Sequence, residues 1–233
     1  MISSMPSRRR PVVAAAAAVV IALVLAACQA EPLSNPQGTS AGLAATSDRA
    51  AAVRLIDRVE VAGRGPKTGY DRDEFGSGWL DSVDVAFGRN GCDARNDILE
   101  RDLTGETFRA GTGNCVVETG RLDDPYTGTT ISFTKAQATK VQIDHVVPLS
   151  YAWQMGAARW TDAKRREFAN DPLNLMAVDG PTNSAKGDSG PASWLPPNRS
   201  IRCSYAVRYA QVVRTYDLPV TTADKAMMRQ QCA

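Results

Sequence analysis

Histidine is nearly absent from this 233-residue chain: it occurs once, as His145. No two cysteines are spaced as Cys-x-x-Cys either. Together these shortages exclude the ligand sets of zinc fingers and ribbons. They also leave one side chain whose ordinary pKa lies near neutrality and suits proton transfer. The chain has no internal repeats, and its longest apolar run, 12–27, falls short of the about 20 residues a membrane span needs. Net charge is lacking too. Without Arg8, Arg9 and Arg10 the chain holds 24 basic and 25 acidic residues, a balance that gives no support for nonspecific grip on a polyanion.

Those three arginines and the apolar run after them form the n- and h-regions of an export signal. The run ends in Leu25-Ala26-Ala27-Cys28, which resembles the lipobox of bacterial lipoproteins. The resemblance implies a leader over 1–27, lipidation of Cys28, and a protein anchored to the outer face of the cell membrane or released from it. An ordinary signal peptide cut nearby and an uncleaved anchor are the alternatives. Residues 28–47, rich in Ala, Ser, Thr, Pro and Gly, read as a tether. Removing Cys28 turns five cysteines into four, which in an exported chain suggests two disulfides. Local pairing, Cys92 with Cys115 and Cys203 with Cys232, is expected.

The remaining 48–233 fits one α+β domain. Apolar spacing predicts a helix from about Asp48, and Asp93 opens another to Asp102. Valine-, threonine- and isoleucine-rich runs at 115–119 and 129–133, split by Gly120 and by Asp-Pro-Tyr-Thr-Gly at 124–128, predict strands joined by turns. Further strands are expected at 141–147 and 173–178, and helices at 149–156, 161–169, 203–215 and 222–231. Pro181 fits the first turn of a helix carrying Asn183. Charge is uneven: 28–133 holds 11 basic and 17 acidic residues, whereas 134–233 holds 13 and 8. The positive excess lies in the half with His145, a pointer to a polyanion.

Asp144-His145-Val-Val-Pro-Leu, Asn174-Leu175, and Asn183 with Lys186-Gly187 together resemble the HNH, or ββα-metal, nuclease motif. More broadly, 88–205 is similar to exported HNH endonuclease-like proteins related to the C-terminal domain of GmrSD restriction enzymes. The shared segments are 90–97, 124–128, 144–149 and the Trp-Leu-Pro-Pro of 194–197. The resemblance implies a ββα core at about 141–190 and hydrolysis of phosphodiester bonds in DNA, with RNA a second candidate. It makes His145 the general base and Asn174 the amide that orients it. Asp144, on the other side of the strand, and Asn183 become ligands of one Mg²⁺ or Mn²⁺ ion, and Lys186 and Arg95 contacts to phosphate. Where many HNH motifs use histidine, Asp144 and Asn183 supply oxygen, which favours a hard cation. A 149–170 insertion separates His145 from Asn174. Trp153, Trp160 and Trp194 are expected in the core, and Tyr126 in a turn or lining the cleft. The rival reading is a non-catalytic envelope lipoprotein that uses the same fold to bind a polyanion or a protein.

Overall fold

A computed structural model describes residues 48–233; the expected leader, the tether and Cys28 lie outside the described residues. The described residues start with helix α1 (Arg49–Asp57), capped by the Asp48 carboxylate, which accepts from the Ala51 amide at 2.7 Å. An irregular stretch follows, with a single 3-10 turn at Arg72–Phe75. Then come α2 (Ala94–Asp102), strands β1 (Thr104–Phe108), β2 (Val117–Asp123) and β3 (Thr130–Thr134), and strand β4 (Val141–His145). Helices α3 (Leu149–Met155) and α4 (Asp162–Asn170) lead to β5 (Leu175–Asp179) and α5 (Gly180–Lys186). The chain ends in α6 (Arg202–Thr215) and α7 (Thr222–Cys232).

Local chemistry accounts for most of these boundaries. Asp93, Thr161, Asp179 and Thr221 each accept from a backbone amide in the first turn of the helix they open, contacts typically worth about 1 kcal/mol each. Pro181 sits in the first turn of α5 as expected. Strand β1 was not foreseen: it reads Thr-Gly-Glu-Thr-Phe, pairs with β2 alone and shifts register twice. An exposed edge strand needs no apolar alternation, so it leaves little trace in composition.

Two sheets form. β1, β2 and β3 make an antiparallel meander, and β4 pairs antiparallel with β5, Asp144 opposite Met176 and His145 opposite Leu175. The β4–β5 pair lies between two cores. Val141, Ile143, Leu175 and Ala177 join Ile98, Leu99, Val117 and Phe133 in one. Met176 and Val178 join Phe168, Tyr205, Tyr209 and the other helical residues in the second. Burying each such aliphatic chain contributes about 1.5–3 kcal/mol, so the pair is held from both sides. Both expected cysteine pairs, Cys92–Cys115 and Cys203–Cys232, are present. Among the described residues no helix is long and apolar enough to cross a membrane.

Candidate functional site around His145

Successive side chains on a strand point to opposite faces. Asp144 and His145 end β4, so the expected base and the expected ligand face away from each other. On the His145 face the ring lies parallel to Trp79, centroids 5.6 Å apart and planes 13° apart. Its Nε2 lies 2.8 Å from the Ala169 carbonyl oxygen. A carbonyl has no proton to give, so Nε2 carries the hydrogen and Nδ1 keeps its lone pair. Among the described residues Nδ1 has no protein partner, and the single buried side-chain N or O atom left unbonded is Tyr209 Oη. Nδ1 is therefore open to solvent.

It opens beside a cavity of about 130 Å³ lined by Arg72, Phe75, Gly76, Gly78, Trp79, His145, Leu149 and Ala169. Burial, with the positive charge of Arg72 adding to it, pushes the imidazole down to about 4. The ring is neutral throughout the neutral range.

The end of α4 organises this pocket. Ala169, in the last turn, has a carbonyl that no further helical turn can satisfy, which frees it for Nε2–H. The buried Arg165 donates to the Glu74 carbonyl at 2.8 Å and to the Trp160 carbonyl at 2.6 Å, fixing the Arg72–Phe75 turn. Its guanidinium also pairs with Asp162. Asn170 accepts from the Leu80 amide at 2.8 Å and so secures the residue after Trp79. Between those anchors Gly76 and Gly78 take φ of 98° and 82°, a region that side chains with a Cβ disfavour. The 149–170 insertion thus supplies the scaffold of the pocket.

Asn174 is near His145 but does not touch its ring. Its side chain accepts from the Val147 amide at 2.8 Å and donates to the Val147 and Phe168 carbonyls. It ties the chain just after His145 to the residue before Ala169, and holds the imidazole only through backbone.

The Asp144 face differs from the expectation. Lys186 Nζ donates to Asp144 Oδ1 at 2.7 Å, to Oδ2 at 2.6 Å and to the His145 carbonyl at 2.7 Å. The Tyr126 hydroxyl donates to Oδ2 at 2.5 Å. Lys186, with 0% of its side chain exposed, is therefore not a phosphate contact but a buried partner of the expected ligand. Burial pulls its ammonium below the usual lysine range, and Asp144 opposes that pull. Asn183 donates to Gln142 Oε1 at 2.9 Å on the same face. These groups do not fit a divalent ion as they stand. Two donors, the Lys186 ammonium and the Tyr126 hydroxyl, already occupy both oxygens of the carboxylate, and a cation on it would stand against a fixed ammonium. Two unit charges about 4 Å apart repel by about 4 kcal/mol at an effective dielectric of 20, and a divalent ion doubles that. Among the described residues no cluster of three or more His, Cys, Asp or Glu is placed to hold a metal. Arg95 stands apart from His145: its Nη2 donates to the Ala138 and Val141 carbonyls, at the opposite end of β4.

Arg72, Trp79, Arg165, Asn170 and the Ala169 carbonyl were missed from sequence. A tryptophan directly after Gly76-Ser77-Gly78 was the one available signal, since an irregular stretch has little other reason to carry an indole. Trp153 is buried as expected, while Trp160 and Trp194 pack against the helical core. Tyr126 is fully buried.

No solved structure matches the chain. A protein of Arthroderma benhamiae described as an uncharacterized secreted protein is 40% identical over 176 residues, 75% of this chain and 79% of that one. The family model for the C-terminal domain of GmrSD restriction endonucleases matches residues 93–231. With more than half its length so matched, the chain belongs to the family of the GmrSD restriction endonuclease C-terminal domain.

Proposed function

We propose that the protein is an exported nuclease that hydrolyses phosphodiester bonds of DNA, or of RNA, with His145 as general base. One observation carries the reading: the lone imidazole has Nε2 fixed by the Ala169 carbonyl while Nδ1 is free. A base held in one tautomer beside a cavity with room for water is equipped to take a proton from it. The water oxygen bonds to phosphorus, the bond to the leaving ester oxygen breaks, and that oxygen takes up a proton. General-base catalysis of this kind typically contributes about 10²–10⁴-fold. Family membership supports the nuclease class, and the name of the Arthroderma benhamiae relative supports export. Two disulfides agree with an oxidising compartment. Anchoring through Cys28 belongs to the same reading.

No step passes through a metal at Asp144, given the occupied carboxylate. Residues 29–233 are expected to nick supercoiled plasmid, and His145→Ala to lower the rate by about 10²-fold or more while leaving the thermal melt unchanged. Wild-type cutting by that variant would end the reading. EDTA in parallel reactions decides metal dependence.

The non-catalytic alternative is favoured by the Asp144–Lys186 pair, which closes a carboxylate that related nucleases are expected to keep for a cation. Nucleic-acid binding without any cutting, with or without Mg²⁺, would select it.

A further inference from the structure

We infer that Arg72 receives the phosphate in the His145 cavity, by direct guanidinium contact to the nonbridging oxygens of a nucleic-acid strand. The inference rests on the reading of this cavity as a nuclease site.

Among the described residues the exposed Arg72 guanidinium makes no hydrogen bond or ion pair, yet it lines the same cavity as the His145 ring. Arg165, against the same turn, binds Glu74 and the Trp160 carbonyl; the exposed Arg166 packs on Gly76 but does not line the cavity. Arg72 is left with its planar fork of donors available, the geometry that matches phosphate.

Its backbone is fixed. The Asp71 carboxylate accepts from the Asp73 amide at 2.9 Å, and Arg165 holds the Glu74 carbonyl at 2.8 Å. Little backbone ordering therefore remains to oppose binding. Size points the same way. The cavity of about 130 Å³ is well below the roughly 300 Å³ at which pockets begin to enclose whole small molecules. It suits a phosphate group and its attacking water, with the sugars and bases running outside over the surface. Trp79 closes one side against the imidazole face, which leaves the rim with Arg72 as the charged approach.

Arg72 and Trp79 lie before residue 93, where the match to the family model begins. The residue that holds substrate is thus contributed by a segment outside the matched domain.

The test is fluorescence anisotropy with a short labelled oligothymidylate in EDTA, read at several salt concentrations, beside the plasmid assay. Arg72→Ala should weaken binding about tenfold to a hundredfold, the range of one charge-assisted contact. It should also flatten the salt dependence by about 0.7 in log–log slope, the value for one single-strand phosphate. Arg72→Lys should restore the slope but only part of the affinity. Arg54→Ala, an exposed charge on α1, should change neither by as much. If the wild type cuts plasmid and Arg72→Ala keeps its affinity and slope, the inference falls while the nuclease reading stands. Binding that depends on Arg72 without any cutting keeps the phosphate site and ends the nuclease reading. A wild type that neither binds nor cuts ends both.

Discussion

At the scale of single residues, His145 has its proton placed by a carbonyl and its basicity set by enclosure. Because it is the sole histidine, isotope-labelled histidine gives one imidazole signature free of overlap. Heteronuclear NMR should find the hydrogen on Nε2 at neutral pH and a titration midpoint near 4, below the ordinary 6.5. A midpoint at 6.5 or higher would contradict the enclosed ring. The folded value lies below the unfolded one, so between 4 and 6.5 the unfolded chain binds more protons. The stability this group contributes is complete above 6.5 and is lost as pH falls through that window. That Asp144 and His145 would face opposite ways was legible from two adjacent letters on a strand. That Lys186 would turn inward was not, because a sequence does not say which buried carboxylate a long cation will reach.

At the scale of elements, α5 is joined to β4 by polar contacts. Lys186 reaches Asp144 and the His145 carbonyl, while Asn183 reaches Gln142 two residues earlier on the same face. Removing one member of a buried ion pair typically costs about 3–5 kcal/mol, since the other is left uncompensated. Urea denaturation of Lys186→Met should show a loss of that order. The double variant Lys186→Met with Asp144→Asn should lose clearly less than the sum of the two single variants, and a loss equal to that sum would mean the two groups are not coupled. Elements opened by capping residues, α2, α4, α5 and α7, were readable because a cap is a local interaction. The part played by α4 was not readable. Its contacts to Glu74, Leu80 and His145 span 91, 90 and 24 positions, and no periodicity encodes such partners.

At the scale of the molecule, two cores flank one strand pair, and each is fastened by its own disulfide. Cys92–Cys115 joins the start of α2 to the approach to β2, and Cys203–Cys232 joins α6 to the end of α7. Their separations of 23 and 29 residues each correspond to about 3.5 kcal/mol in the chain-entropy account. Replacing Cys203 and Cys232 together by serine should lower the unfolding free energy by an amount of that order, measured by urea denaturation without reductant. An unchanged midpoint would mean that the helical pair needs no clasp. Local cysteine pairing was within reach of sequence reasoning because both loops are short.

The cavity has an ownership that its chemistry alone would not suggest. Its imidazole comes from the strand pair, and its charged rim from a stretch attached to that pair by packing and two buried side chains, Arg165 and Asn170. Built this way, the rim can change without the imidazole moving. Kinship over the strand pair alone then says little about what stands at the cavity's rim.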